Sequence, residues 1–285
     1  MINFLKKISL VHHFFLLLRV LQSSFQKFIF GKFTKAILIE NKSFKYLSPT
    51  SDISVTRKLL KDGNYSKDEL EKIKKLVNKD SNVIFVGANI GSLSIPTSTL
   101  VNKCFMFEAN PEVFELLKIN IFLNSIKNSF VFNIAVSNTK GYLNFFQSKV
   151  NVGGSKIEPL NNKYNYTYDN PKKISVKCDK LDNFSFDKNI DLIFLDIEGS
   201  EYFALEGMTK LLTRTRYLIM EFIPDHLKNV SGKTPRDFFE IISKYFNTME
   251  YPEKNFKYKN DDILIALENI YNKNSHSDGL IFYNS

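Results

Sequence analysis

Three carboxylates crowd one short stretch of this chain. Asp191-Leu-Ile-Phe-Leu-Asp-Ile-Glu-Gly-Ser-Glu201 reads as a buried apolar strand that opens into Asp196, Glu198 and Glu201. Acids this close repel one another and destabilise a fold unless they have partners, a metal or work to do. A helix N-terminus favours acids, which accounts for Glu201 but poorly for Asp196. Asp196 is therefore the first candidate for a general base and Glu198 the second, since neighbouring acids raise such a pKa toward the useful range. His226, a lone histidine beyond the next strand, is the third. A divalent cation on the same oxygens would be another route to an acidified hydroxyl, a reading left open with nothing further in the sequence to support it.

A second constellation binds rather than reacts. Asn82-Val-Ile-Phe-Val-Gly-Ala-Asn-Ile-Gly91 reads as a short buried strand ending in a glycine-bounded loop. A second apolar run, Cys104-Phe-Met-Phe, ends on Glu108. Strand, tight glycine loop, helix, then a strand ending in a carboxylate is how α/β folds hold an adenosine, with the carboxylate accepting from ribose hydroxyls. A dinucleotide fingerprint requires G-x-G-x-x-G to seat a pyrophosphate. Here Asn89 holds the second glycine position. S-adenosylmethionine fits that looser loop better than NAD, which disfavours an oxidoreductase.

These residues must be positioned by an alternating fold. Strands are expected at 82–87, 103–108, 129–134, 190–196 and 215–222, with helices at 91–101, 111–123 and 200–212. Asn110-Pro-Glu marks the second helix with an N-cap and a proline at its first position. Short apolar strands alternating with helices imply a parallel sheet covered on both faces, with ligands at the carboxyl ends of its strands. After a helix near 234–245, runs at 246–251 and 279–283 close the sheet as an antiparallel pair. The alternation breaks between 135 and 178, where Lys140-Gly-Tyr-Leu-Asn-Phe-Phe and Ile174-Ser-Val-Lys-Cys look like extra strands. Between them, the tyrosine-studded 161–171 loop is either a solvated insertion or a substrate-facing flap. Ser66-Lys-Asp-Glu69 looks like a capping box opening a helix to about Asn78. It sets the division into a basic, partly helical extension, 1–65, and a main domain, 66–285.

The chain has 285 residues, 44% hydrophobic, with a mean hydropathy of −0.18, enough for one large domain with a sizeable core. Its two cysteines, Cys104 and Cys178, give no disulfide framework and suit small core residues in a reducing, cytoplasmic compartment. Of the net charge of +9, six units lie within residues 1–39, which contain no acid. That asymmetry argues against a globally nucleic-acid-binding protein, and no Asn-Pro-Pro-Tyr-like block follows the fourth strand. The apolar run from Ile8 to Leu21 is interrupted by His12, His13 and Arg19 and falls short of the roughly 20 residues of a membrane span. Residues 1–35 are expected to cap the domain or to adsorb to an anionic membrane surface.

Five ordered blocks then carry a family resemblance: Gly87-Ala-Asn-Ile-Gly91, Phe107-Glu-Ala-Asn-Pro111, Ala135-Val-Ser137, Asp196-Ile-Glu-Gly-Ser-Glu201 and Met220-Glu221. Over about residues 80–225 the chain resembles the FkbM-type methyltransferases. The resemblance implies a class I, Rossmann-like fold with a seven-stranded, mostly parallel sheet whose last strand is antiparallel. It also implies O-methylation from S-adenosylmethionine, commonly of a sugar hydroxyl in a glycan or related metabolite. On this reading Gly87, Ala88, Asn89, Ile90 and Gly91 serve the methionine part and Glu108 with Ala109 the ribose. Asn133 and Ala135 serve the adenine region, and Asp196 borders the donor. Two positions depart from the pattern: Phe85 stands where an acid is usual, and Phe194 where a lysine is usual. They raise the alternative of a catalytically silent binding module that kept the fold.

Overall fold

The computed structural model describes residues 2–186 and 189–285. A long helix, α1 (Ile2–Phe30), leads into a hairpin, β1 (Ala36–Glu40) and β2 (Lys45–Pro49), and then into α2 (Val55–Asp62) and α3 (Lys67–Leu76). The alternating unit follows as β3 (Asn82–Val86), α4 (Ser94–Ser98), β4 (Lys103–Phe107), α5 (Pro111–Leu123) and β5 (Ser129–Phe132). The insertion supplies β6 (Ala135–Val136), β7 (Gly141–Gln147), β8 (Lys156–Ile157), α6 (Tyr164–Thr167) and β9 (Lys172–Asp179). Alternation resumes with β10 (Ile190–Leu195), α7 (Glu201–Glu206), α8 (Thr209–Leu212) and β11 (Thr215–Phe222), which runs into the turn α9 (Pro224–His226). The chain continues through α10 (Pro235–Ile242), β12 (Thr248–Tyr251), β13 (Phe256–Lys259) and α11 (Asp262–Asn272) to β14 (Ser277–Tyr283).

The main sheet has the order β13-β12-β14-β11-β10-β3-β4-β5. From β11 to β5 all pairings are parallel, and β14 inserts antiparallel between β11 and β12. Period-two side-chain direction divides each strand between two cores. Ile84, Val86, Ile193, Leu195, Leu218 and Met220 face one layer, while Val83, Phe85, Leu192, Phe194 and Ile219 face the other. Both faces being covered explains why β3 and β10 read as unbroken apolar runs.

The expected fold class holds, with local differences, among them the helix expected over 200–212, which is broken into α7 and α8. The sheet has eight strands rather than seven. The eighth, β13, is a mostly exposed edge strand paired to β12, so it carries no apolar signature. The expected capping box at Ser66 does not form. Ser66 is left-handed (φ 54°) and makes no side-chain cap bond, whereas an N-cap serine needs extended backbone to reach the N3 amide. The helix expected over 91–101 shrinks to five residues. There Thr97, Ser98 and Thr99 turn their hydroxyls back onto the carbonyls of Leu93, Ser94 and Pro96, a local competitor of helix extension.

Residues ahead of 66 do not form a body apart. Ile39, Tyr46, Val55 and Leu59 share a core with Ile90, Ile95 and Val113. Asn120 on α5 clasps the backbone of Leu47, and Asp52 accepts from the Val152 amide at 3.0 Å. The hairpin and α2 thus close over the glycine loop.

Candidate active site

The turn after β3 can form only because residue 87 is glycine. Its φ is +87°, and a Cβ there would lie 1.9 Å from the Asp196 carbonyl oxygen. The loop and the tip of β10 are thereby in backbone contact. Beside them, Glu108 at the end of β4 is buried and accepts from the Asn89 amide at 2.8 Å and the Asn110 amide at 2.8 Å. Burial pushes its pKa up to about 7 against those two bonds. Each carboxylate oxygen keeps a second lone pair for a ligand hydroxyl.

These elements wall a cavity of about 320 Å3 at the carboxyl ends of the strands. Gly87, Ala88, Asn89, Glu108, Ala109, Ala135 and Asp196 line it, as expected sites of a donor. Ile90, Gly91 and Asn133 lie behind the wall. Ile90 is fully buried in the core shared with the hairpin. Gly91 packs on Ile95 and Leu117, where a Cβ would come within 2.9 Å of either. Asn133 braces the wall by donating to the backbone carbonyls of Glu108 and Ala109. Phe85 and Phe194 face the same cavity as a cross-strand pair, with ring centroids 5.5 Å apart. The two departures from the family pattern are thus one packing unit.

The charge of the lining is one-sided. Glu69, Glu108, Asp196, Glu198, Glu221 and Asp278 contribute six carboxylates, against the single ammonium of Lys58. Burial and the neighbouring Glu221 and Glu198 hold the Asp196 pKa well above its ordinary range, and burial with Glu198 and Glu201 does the same for Glu221. Such a site repels a pyrophosphate and attracts a cation.

A second cavity of about 250 Å3 adjoins the first, with Asn151 and Glu198 in both linings. Glu198 is left-handed (φ 58°), a conformation that costs a non-glycine residue about 1–2 kcal/mol. It accepts an ion pair from Lys156 of β8, with Nζ 3.0 Å from Oε2. His226 Nε2 lies 3.5 Å from the same ammonium and 3.6 Å from Glu198, and its Nδ1 is 3.8 Å from Glu221. Gly199 permits this approach: a Cβ there would meet the His226 Cβ at 3.0 Å and the Val230 Cβ at 2.7 Å. Burial raises the Glu198 pKa, but Lys156 and His226 outweigh it and the net shift is downward. Burial, then Lys156, lowers that of His226, which keeps the imidazole neutral near pH 7. Tyr166 completes the wall, its hydroxyl donating to Asp225 at 2.6 Å and its ring 5.0 Å from the Lys156 ammonium. The tyrosine-rich segment is therefore a packed wall of this cavity rather than a solvated insertion.

Sequence reasoning assigned no role to Lys156, Glu221 or Tyr166. Nothing in the local pattern marks Lys156, which reaches the cluster only because β8 pairs with β7. Glu198, Glu221 and His226 could each offer a cation one atom within a 4.8 Å span. The Lys156 ammonium already stands against Glu198, and an ammonium and a divalent ion do not share that place, so no step is routed through a metal.

A sequence profile of the FkbM methyltransferase domain matches residues 86–258. The chain belongs to the FkbM methyltransferase family. Its activity class is that of a methyltransferase. A relative, the 2-O-methyltransferase NoeI of Sinorhizobium fredii, is 24% identical over 220 residues, covering 72% of this chain and 83% of its own. Among solved structures, methyltransferase FkbM from Methylobacillus flagellatus is 13% identical with a TM-score of 0.41, over 73% of this chain and 44% of that one. M. jannaschii TYW2, solved with AdoMet, is 10% identical with a TM-score of 0.46, over 88% of both chains.

Proposed function

We propose that this FkbM-family protein transfers the methyl group of S-adenosylmethionine to a hydroxyl of a sugar, glycan or related small metabolite. The observation that carries the donor is the six-to-one excess of carboxylates in the first cavity. A sulfonium is a cation and a pyrophosphate is not. Glu108 takes the ribose hydroxyls, the 87–89 turn and Asp196 the methionine end, and the Ile134–Val136 segment the adenine.

Methyl transfer from a sulfonium is an in-line displacement, so alignment of donor, methyl and acceptor oxygen does most of the work. The second cavity suits a polar acceptor. Ser148, Asn151 and Asn165 offer hydrogen bonds, and Tyr166 and Tyr168 offer ring faces. The buried Asn151 Oδ1 has no hydrogen-bond partner among the described residues, which favours a donating ligand group there.

Asp196 ranks first as base from sequence, but His226 is better supplied for that role. It is neutral near pH 7 and lines the acceptor cavity. Glu221 lies 3.8 Å from its Nδ1, beyond hydrogen-bond distance, and Nε2, 3.5 Å from the Lys156 ammonium, is the nitrogen that would take the proton. Asp196 lines only the donor cavity, and Glu198 is engaged by Lys156.

Calorimetric titration with S-adenosylmethionine, with NAD as control, tests the donor. Micromolar binding of the first alone is expected. Binding of NAD alone would refute the reading.

A further inference from the structure

Helix α1 is mounted with its apolar side outward. The face turned to the domain is held mainly by polar contacts. Ser23 donates to the Ser51 carbonyl at 2.7 Å, Gln26 to the Thr50 carbonyl at 2.9 Å, and His12 meets the Asn165 side chain at 3.1 Å. On the other side Phe14, Leu17, Leu21, Phe25 and Phe28 follow at spacings of three and four residues. They are between 50% and 82% exposed. On a 3.6-residue period they form one stripe. An amphipathic helix in a globular protein ordinarily buries such a stripe, and a contiguous exposed one marks an interaction surface.

Charge selects the occupant. Lys27, Lys32 and Lys35 lie at the end of the helix or just after it, and residues 1–39 contain no acid. A second copy laid on this stripe would bring like charges together, whereas an anionic lipid surface would neutralise them. No helix among the described residues is long and apolar enough to cross a membrane. An exposed apolar stripe with flanking cations is what a helix lying in the plane of a bilayer interface presents.

We infer that α1 docks this protein on an anionic membrane surface through the Phe14–Phe28 stripe. The inward side of the same helix supplies His12, Leu16 and Arg19 to the second cavity. Docking therefore holds the acceptor cavity about one helix diameter, roughly 10 Å, from the lipid headgroups.

The test uses the full chain and vesicles of phosphatidylcholine with or without phosphatidylglycerol. The chain has no tryptophan, so Phe28→Trp gives a single reporter. Co-sedimentation with the anionic vesicles and a blue shift of tryptophan emission are expected. The Phe14→Ser/Phe25→Ser/Phe28→Ser variant should partition about tenfold less or weaker still, because three apolar side chains no longer leave water. Its affinity for S-adenosylmethionine and its unfolding midpoint should match the unsubstituted chain. Protein that stays in the supernatant with both vesicles would overturn the inference. So would a dimer in solution that the triple substitution dissociates, or a lowered unfolding midpoint, which would make the stripe part of the protein's own packing. Donor titration of the same preparation keeps this result separate from the methyltransferase reading.

Discussion

Replacing Lys156 by methionine removes the ammonium that faces Glu198 in a nearly dry site. The lysine side chain is 8% exposed and that of Glu198 20%, with 3.0 Å between the charges. At an effective dielectric of about 20, the lost attraction is 332/(20 × 3.0), or about 5.5 kcal/mol. Glu198 has a less costly way out, which is to take up a proton. From its ordinary value of 4.5, neutralising it at pH 7 costs 1.36 × 2.5, about 3.4 kcal/mol. The smaller figure governs, so the variant should lose about 3 kcal/mol at pH 7, within the range for breaking a buried pair.

The loss has a definite pH dependence. In the unsubstituted protein the Glu198 pKa is lowered on folding, so its contribution is present above pH 4.5 and is lost as pH falls through the folded value. In the variant the folded pKa is raised instead. The folded state then holds a proton that the unfolded chain releases, and stability falls as pH rises above 4.5. The difference between the two proteins should shrink to about 2 kcal/mol at pH 6 and grow by about 1.4 kcal/mol per unit above it until the 5.5 kcal/mol limit. Urea unfolding at pH 5, 6, 7 and 8 reads this directly. Adding Glu198→Gln to the variant should restore most of the loss, because the orphaned charge is gone. A difference below about 1 kcal/mol that does not change with pH would refute the idea that Lys156 compensates a buried carboxylate.

Further outcomes are expected. Affinity for S-adenosylmethionine should weaken below about pH 7, where Glu108 takes up its proton, and calorimetry should find this dependence gone in Glu108→Gln. Conversion of His226 to alanine should reduce kcat by about 10²- to 10⁴-fold, the usual worth of a general base, with donor affinity unchanged. In the unsubstituted enzyme kcat at saturating donor should hold down to pH 6.5 and fall only below it, since the imidazole pKa is lowered. Donor binding should release protons, because a sulfonium arriving beside Asp196 and Glu221, both held above their ordinary range, favours their ionised forms. Calorimetric heats that do not vary with the ionisation enthalpy of the buffer would exclude it. Gly87→Ala should abolish donor binding or lower stability by about 3 kcal/mol or more, since a left-handed backbone and a clash with the Asp196 carbonyl coincide.

The sequence by itself determined the frame of the donor site. Unbroken apolar runs at β3, β4 and β10, each ending in glycine or carboxylate, specify buried parallel strands whose tips meet, because only a doubly covered sheet buries such runs on both faces. The N-cap and proline at Asn110 and Pro111 fixed the start of α5, and Asn110 accepts from the Glu112 amide at 3.1 Å. Local chemistry sufficed for these. It misled at Ser66, where a sound capping pattern lost to the backbone conformation required beside the cavity, and at β13, where an edge strand buries too little to leave a signature. Tertiary structure alone decided the acceptor side. Lys156, Glu198, Glu221 and His226 come from four separate places in the chain, and their short separations follow from strand pairing and a left-handed turn rather than from spacing. Their charge states follow the same way, since a pKa is set by burial and by neighbours distant in sequence. The outward stripe of α1 belongs to both levels: its period is written in the sequence, but which side faces the domain was decided by the polar contacts of Ser23, Gln26 and His12.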